Sequence, residues 1–191
     1  MALRTLRCAV EGIAAWHPQL FLESHIVACA AVMSHYSESP AVFEVECEGV
    51  SSRWLGRTNR FALEVSWTEE TVHKANRLRV TIQSKPLIEM ASVALAMILA
   101  YRVLPLGQLD VTDYGDRADY RSLSASTVLE ISGTETMAEL GRRHRDKAAQ
   151  SLTNPFGWDA CVVVCAFSSE GHRIRFSGHR WEESAHGESE G

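Results

Sequence analysis

Two carboxylates, Asp119 and Glu130, are the side chains of this sequence best placed to carry out chemistry. Each lies in a strand-like segment, and a short loop, LSAS, separates the two segments. Antiparallel pairing around that loop would bring both carboxylates side by side on one face of a sheet. Carboxylates that close repel each other unless a cation lies between them or one takes up a proton. Such oxygen ligands suit Mg²⁺ or Mn²⁺, and a bound cation would polarise a phosphate and lower the pKa of an attacking water.

A charged helix is predicted directly after the Glu130 strand, and it would add polar groups to the pair. Glu139, Arg143, Lys147 and Gln150 recur at helical spacing, which places them on one face of a helix. Taken alone, this stripe is better explained as a solvated face with an ion pair between Glu139 and Arg143. Its position after the strand favours a role for Lys147 and Gln150 beside the carboxylates.

Hydrophobic patterning predicts the elements of the N-terminal half. The residues at helical spacing in 19–36 indicate a helix, and 69–78 is weakly helical. AVFEVECEGV and FALEVSW alternate between apolar and polar residues and are expected to pair as a β-hairpin. Pro86 then begins a helix that extends to about Val103. This helix is apolar on nearly every side, which is typical of a buried helix.

The C-terminal half is predicted to be a sheet interrupted by the charged helix. Three strands are expected in QLDVTD, RADYRSL and STVLEISG. A capping box of Thr136 and Glu139 predicts a helix from Met137 that ends before Asn154 and Pro155. ACVVVCAF is typical of a strand covered on both faces, and HRIRFSGHR is predicted to be an edge strand.

The order of these elements indicates an α/β fold with a mixed central β-sheet flanked by helices. Residues 1–85 are predicted to form an N-terminal elaboration with a helix and a β-hairpin, and 86–180 to form the α/β core. Residues 181–191 are predicted to be a disordered tail. An apolar fraction of 46% in 191 residues excludes a disordered chain and fits one domain with an elaboration.

Asp119, the run Glu130-Ile131-Ser132 and a helix that carries Lys147 and Gln150 together resemble the PD-(D/E)xK, or restriction-endonuclease-like, superfamily. The resemblance covers roughly residues 86–180. It implies a restriction-endonuclease-like core in which Asp119 and Glu130 bind the metal.

The resemblance also assigns roles to the neighbouring helices. Glu89 would match the acidic residue that the preceding helix often contributes to the metal site. Lys147 and Gln150 would match the polar residues that some members place on the following helix. Ser132 stands where the family has a lysine, and Lys147 is the candidate for that missing function.

The bulk charge limits how nucleic acid could be bound. A formal net charge of −5 excludes a global electrostatic footprint, so phosphate contacts would need a local basic patch. The candidates for that patch are five arginines on the charged helix and the last strand: Arg142, Arg143, Arg145, Arg173 and Arg175. An ordinary charged surface is the alternative interpretation.

A cytoplasmic protein without a membrane partner is predicted. The five cysteines include no CxxC pair and are typical of small buried hydrophobes in a reducing compartment. The N-terminus lacks a convincing signal-peptide pattern. The longest apolar run, LIEMASVALAMILAY, contains Glu89 and is shorter than the roughly 20 residues of a membrane span.

These observations lead to a main hypothesis and two others. The first is a metal-dependent nuclease-like domain that hydrolyses nucleic-acid phosphodiesters with Mg²⁺ or Mn²⁺ if active. It would act on DNA ahead of RNA, with a protein partner in a larger assembly or as a homo-oligomer. The second is a catalytically inactive nuclease-fold protein that serves as a nucleic-acid-binding or protein-interaction subunit, which Ser132 favours. The third is a small-molecule-binding α/β domain unrelated to nucleases.

Overall fold

One mixed sheet runs through the part of the chain that the structure describes. A computed structural model describes residues 3–50, 52–56, 58–104 and 106–181, so the predicted tail lies outside the described residues except for Trp181. The sheet has eight strands in the spatial order β1-β3-β2-β8-β7-β6-β5-β4. Their bounds are β1 Thr5–Ala9, β2 Ala41–Glu48, β3 Arg60–Ser66, β4 Asp110–Val111, β5 Tyr120–Ser122, β6 Thr127–Thr134, β7 Asp159–Ser168 and β8 Gly171–His179.

Parallel and antiparallel pairs are combined in this sheet. The pairs β1–β3, β2–β8 and β6–β7 are parallel. The pairs β2–β3, β4–β5, β5–β6 and β7–β8 are antiparallel. The predicted α/β class with a mixed sheet and flanking helices is therefore confirmed, and so is the antiparallel pairing predicted for the two N-terminal strands. Strands from both of the predicted regions, 1–85 and 86–180, belong to this one sheet.

The helices divide between the two faces of the sheet. Their bounds are α1 Ile13–Trp16, α2 Glu23–Tyr36, α3 Glu69–Arg79, α4 Ser84–Arg102 and α5 Met137–Ser151. Helices α2 and α4 pack together and form the main apolar core with residues on one face, such as Val163 and Phe167 of β7. On the other face, α5 packs against β6, β7 and β8 through a small cluster that includes Leu140, Val162 and Val164.

Helix α4 is the central helix of the large core. It is buried along most of its length, as its apolar sequence predicts. By length and composition alone it would also qualify as a membrane span, but 61% of that window is buried inside the protein, as in many core helices. A Cβ atom at Gly133 would lie only 2.9 Å from Ile88 O, so glycine permits the close approach of α4 to β6. All five cysteines are free and buried, as predicted.

The prediction that the last strand lies at an edge is wrong. Strand β8 lies inside the sheet, hydrogen-bonded to β7 on one side and β2 on the other. Ile174 and Phe176 are buried, whereas Arg173 and Arg175 are partly exposed on the face that α5 leaves open. Alternation of polar and apolar residues therefore reflected one uncovered face of an inner strand, since an edge strand and a half-covered strand share the same period.

Two further local features differ from the sequence analysis. Strand β1 was missed, although Leu6 and Cys8 alternate with exposed neighbours, because five residues are a short signal. Helix α5 begins at Met137 as predicted, but the Thr136 side chain caps no backbone N–H. Instead, Thr134 Oγ1 donates a hydrogen bond to Glu139 Oε2 at 3.1 Å, so the predicted capping box does not form.

Candidate metal and catalytic site

Glu130 is a buried carboxylate in the middle of the sheet. Every residue of β6 is buried, because β5 and β7 flank the strand while α4 and α5 cover its faces. Only 1% of Glu130 is exposed. Lys147 Nζ donates a hydrogen bond to Glu130 Oε1, and Gln150 Nε2 lies 3.4 Å from the same oxygen. The other oxygen, Oε2, is buried and has no hydrogen-bond partner among the described residues.

Asp119 reaches the same site from the residue before β5. Its backbone N–H bonds to Leu129 O at 3.1 Å, which continues the β5–β6 ladder by one residue. Its carboxylate oxygen Oδ2 then accepts a hydrogen bond from Ile131 N at 2.7 Å. The side chain of Asp119 thus hydrogen-bonds to the edge of β6 just beyond the end of β5. This contact places Asp119 next to Glu130, the residue of β6 that precedes Ile131.

Glu89 accepts a hydrogen bond from Gly133 N, the next backbone N–H on the same edge of β6. Its Oε2 accepts from Gly133 N at 2.9 Å, and Ser132 Oγ lies 3.5 Å from its Oε1. Arg143 Nη1 lies 3.8 Å from the same Oε1 and donates to Gly133 O at 3.0 Å. Backbone N–H groups of Ile131 and Gly133 point the same way because strand directions repeat every two residues. Glu89 is therefore next to the carboxylate pair but already has partners.

The site contains more negative charge than its cations balance. Burial raises the pKa of Glu130 to about 7, and the nearby charges of Asp119 and Glu89 add to this, while Lys147 lowers it. Desolvation by the surrounding protein also raises the pKa of Asp119, although this residue lies at the exposed mouth of the site. The hydrogen bond from Ile131 N and the charge of Lys147 act in the opposite direction. Two ionised carboxylates this close repel each other, so a cation bound by both would stabilise the charged pair.

The four residues predicted to be catalytic open into one cleft. Asp119, Glu130, Lys147 and Gln150 line an open cleft of about 780 Å³, together with most of the loop between β4 and β5. Arg117 lies in that loop and donates to Thr153 Oγ1 at 2.8 Å, which ties the loop to the chain just after α5. A substrate could therefore approach the buried carboxylate from solvent.

The five arginines predicted to bind nucleic acid do not form a free basic patch. Four of them lie within 4 Å of carboxylate oxygens: Arg142 by Glu139 and Asp146, Arg143 by Glu139 and Glu89, Arg173 by Glu44, and Arg175 by Glu46. Arg145 is exposed on α5, without an ion pair to the described residues. Arg173 and Arg175 belong to the open face of β8 rather than to the cleft.

Tyr114 is a cleft residue that the sequence analysis did not single out. It lines the cleft from the β4–β5 loop and is fully exposed. The only signal in the sequence is an aromatic residue within a turn rich in Asp and Gly, a few residues before Asp119. Such a turn predicts a surface loop but not what that loop faces.

The residues present suit a small hard cation bound by two carboxylates. Within the described ranges, no group of three His, Cys, Asp or Glu side chains is close enough to hold a metal ion. Asp119 and Glu130 would therefore be the two side-chain ligands, and Mg²⁺ commonly takes one or two carboxylates with water and phosphate oxygens. The buried, unpartnered Glu130 Oε2 is the atom that fits this role.

Comparison with family models, curated proteins and solved structures finds no match to the chain. The resemblance to the PD-(D/E)xK superfamily accordingly stays a prediction. A fold class alone does not specify an activity, whereas the chemistry of the residues in this cleft limits what the protein can do.

Proposed function

We propose that this protein is a metal-dependent phosphodiester hydrolase that acts on nucleic acid. The observation that carries the proposal is Glu130, a carboxylate that is 1% exposed and whose Oε2 has no partner among the described residues. An unsatisfied buried carboxylate oxygen destabilises a fold by about 1 to 3 kcal/mol or more. A cation ligated by that oxygen would remove the penalty, and Asp119 beside it would supply the second ligand.

The chain's own residues would divide the work in the cleft. When bound, Mg²⁺ or Mn²⁺ supplies polarisation of a phosphate oxygen and a water of lowered pKa. Lys147 bonds to Glu130 Oε1, which fixes the orientation of the carboxylate and leaves Oε2 as its unpartnered oxygen among the described residues. Its ammonium group would also lie where it can offset the negative charge that develops on the phosphate. Gln150 supports the same Glu130 oxygen.

Lys147 would supply the positive charge that the family's lysine provides at the position of Ser132. Ser132 follows Glu130 by two residues on the same face of β6, but its hydroxyl is buried near Glu89. Lys147 comes from α5 instead and contacts Glu130 directly. A lysine that enters from the neighbouring helix can thus present its charge to the same carboxylate, because α5 lies across that face of β6.

A catalytically inactive binding subunit is the second candidate, and one observation favours it. Asp119 Oδ2 and Glu89 Oε2 each accept a hydrogen bond from a backbone N–H that β5 leaves unpaired. These contacts give both acids a structural role that needs no metal. In that case the cleft would bind nucleic acid or a protein without cleaving it.

Cleavage assays with amide variants would distinguish the two candidates. The purified protein would be incubated with single- and double-stranded DNA and RNA, in Mg²⁺, Mn²⁺ or EDTA. Asp119→Asn and Glu130→Gln keep an acceptor oxygen for Ile131 N and for Lys147, so the fold is retained while the ligand charge is removed. We expect metal-dependent cleavage that falls at least about 100-fold in each variant.

Glu64→Gln is the matched control for these variants. Glu64 is a partly buried acid on β3 that pairs with Arg7, and it does not line the cleft. Its substitution should leave cleavage within about twofold of wild type. Cleavage that survives both cleft substitutions, or no cleavage of any of the four substrates, would contradict the proposed activity.

A further inference from the structure

The rim of the cleft lacks the positive charge that binding of a duplex depends on. The charged residues that line the cleft as a whole are three carboxylates and two cations: Asp113, Asp119, Glu130, Arg117 and Lys147. Lys147 is engaged by Glu130, and Arg117 donates to Thr153. Affinity for duplex DNA comes largely from phosphates that Lys and Arg neutralise. A rigid duplex would therefore gain little from this rim.

Tyr114 offers a different kind of contact at the same rim. Its side chain is fully exposed, and it stands at the tip of the β4–β5 loop. The turn that carries it is closed twice, by Asp116 N to Asp113 O at 3.1 Å and by Asp113 N to Asp116 Oδ2 at 2.8 Å. Gly115, at φ +101°, supplies the backbone conformation that this turn needs. The aromatic ring is thus presented to the cleft on a preorganised turn.

The loop is also attached at its C-terminal side. Arg117 adopts φ 57°, an uncommon conformation for a residue with a side chain, and its guanidinium bonds to Thr153. Thr112 Oγ1 donates to Ala118 O across the base of the loop. These contacts hold the backbone around Tyr114, so stacking on its ring would order little additional chain.

We infer that the substrate of this cleft is single-stranded nucleic acid, with one unpaired base stacked on Tyr114. This inference rests on the proposed function and specifies its substrate class. Bases in a duplex are already stacked on both faces, whereas a single strand can splay a base onto an aromatic side chain. Stacking needs no positive charge, so it suits a cleft in which carboxylates outnumber cations.

Fluorescence anisotropy with a short labelled DNA strand and its duplex tests this inference. Ca²⁺ would replace Mg²⁺ in the titrations, and a gel of each sample would verify that the strand stays intact. We expect wild type to bind the single strand at least about tenfold more tightly than the duplex. Tyr114→Ala should weaken single-strand binding about fivefold or more and change duplex binding less than about twofold.

Two control variants separate stacking from other effects. Tyr114→Phe keeps the ring and should bind like wild type. Phe21→Ala removes another strongly exposed aromatic residue, one that does not line the cleft, and should also bind like wild type. Equal or tighter binding of the duplex, no binding of the single strand, or an unchanged Tyr114→Ala variant would overturn the inference. If one of these binding results occurs but cleavage is lost in Glu130→Gln, only the single-strand inference fails and the proposed activity stands. If binding depends on Tyr114 but no cleavage is found, only the proposed activity fails.

Discussion

Two polar clusters lie beside helix α5, and they differ in whether a buried side-chain atom lacks a hydrogen-bond partner among the described residues. Near the middle of α5, Ser177 Oγ lies 2.7 Å from Nε2 of both His144 and His179. The hydroxyl can donate to one ring and accept from the other when both are neutral. Near the end of α5, Lys147 and Gln150 contact one oxygen of Glu130, and the other has no partner in the part of the chain that the structure describes. We call the first cluster complete, because none of its side-chain atoms is buried without a partner among the described residues, and the second incomplete, because Glu130 Oε2 is.

Burial moves the pKa values in both clusters toward the neutral form. Desolvation lowers the pKa of His144 to about 4, and the charges of Arg175 and His179 contribute. Desolvation raises the pKa of Glu130 to about 7. Neutral His144 satisfies its cluster, but even a protonated Glu130 would need an acceptor for its new donor. The shift in pKa is thus common to both clusters, and the unpartnered Oε2 of Glu130 is what distinguishes the second cluster from the first among the described residues.

The largest effect is expected from removing the cation of the incomplete cluster. Lys147→Ala should lower metal-dependent cleavage at least about 100-fold, because Glu130 loses its orienting contact and the phosphate loses a stabilising charge. Initial cleavage rates under saturating Mg²⁺ measure this. Arg145→Ala, on the same helix and exposed, is the control and should stay within about threefold of wild type. Equal losses in both variants would show that only the general charge of α5 matters.

Glu130→Gln should change how stability depends on pH. The folded protein binds a proton at Glu130 up to about pH 7, whereas an unfolded glutamate releases it near its ordinary pKa of 4.5. Wild type therefore becomes less stable as pH rises through this window, and the variant lacks that loss. Between pH 5 and pH 8, the free energy of unfolding in EDTA should fall by about 2 kcal/mol more in wild type than in the variant. Urea unfolding at both pH values measures it, and parallel curves would refute the raised pKa.

Ser177→Ala should break the complete cluster without touching the chemistry. The substitution leaves ring nitrogens of His144 and His179 without their shared partner, at a cost of about 1 to 2 kcal/mol in the free energy of unfolding. Cleavage at a temperature well below unfolding should stay close to that of wild type. Urea unfolding and cleavage rates on the same preparation give both values. A large loss of cleavage in a folded variant would mean that the two clusters are coupled through α5.

The smallest effect is expected at Gln150. Gln150 is an exposed residue, and its Nε2 lies 3.4 Å from Glu130 Oε1. This distance is long for a hydrogen bond, so the contact is weak. Gln150→Ala should lower cleavage by about threefold and leave the free energy of unfolding within about 0.5 kcal/mol. A decrease as large as that of Lys147→Ala would assign Gln150 a direct role toward substrate.

Most of the helices and strands could be predicted, because the sequence patterns that indicate them are local. The apolar run of α4, the continuous β-formers of β7 and the charged stripe of α5 lie within a few residues of the observed bounds. The proximity of Asp119 to the Glu130 strand was also predictable, since a short loop between antiparallel strands leaves few registers. The inner position of β8 was not predictable, because alternation is the same whether a strand lacks a neighbour or lacks a covering helix.

The site divides in the same way between sequence and tertiary structure. Which residue types meet in the cleft followed from sequence alone: two carboxylates from neighbouring segments of the sheet and a lysine on the helix that follows. Three features depend on tertiary contacts: Glu89 bonds to Gly133, four of the predicted basic residues pair with acids, and Glu130 Oε2 has no partner among the described residues. Local pattern depends on the period of a helix or a strand. Whether a buried atom is satisfied depends on contacts between segments far apart in the chain, which no local pattern encodes.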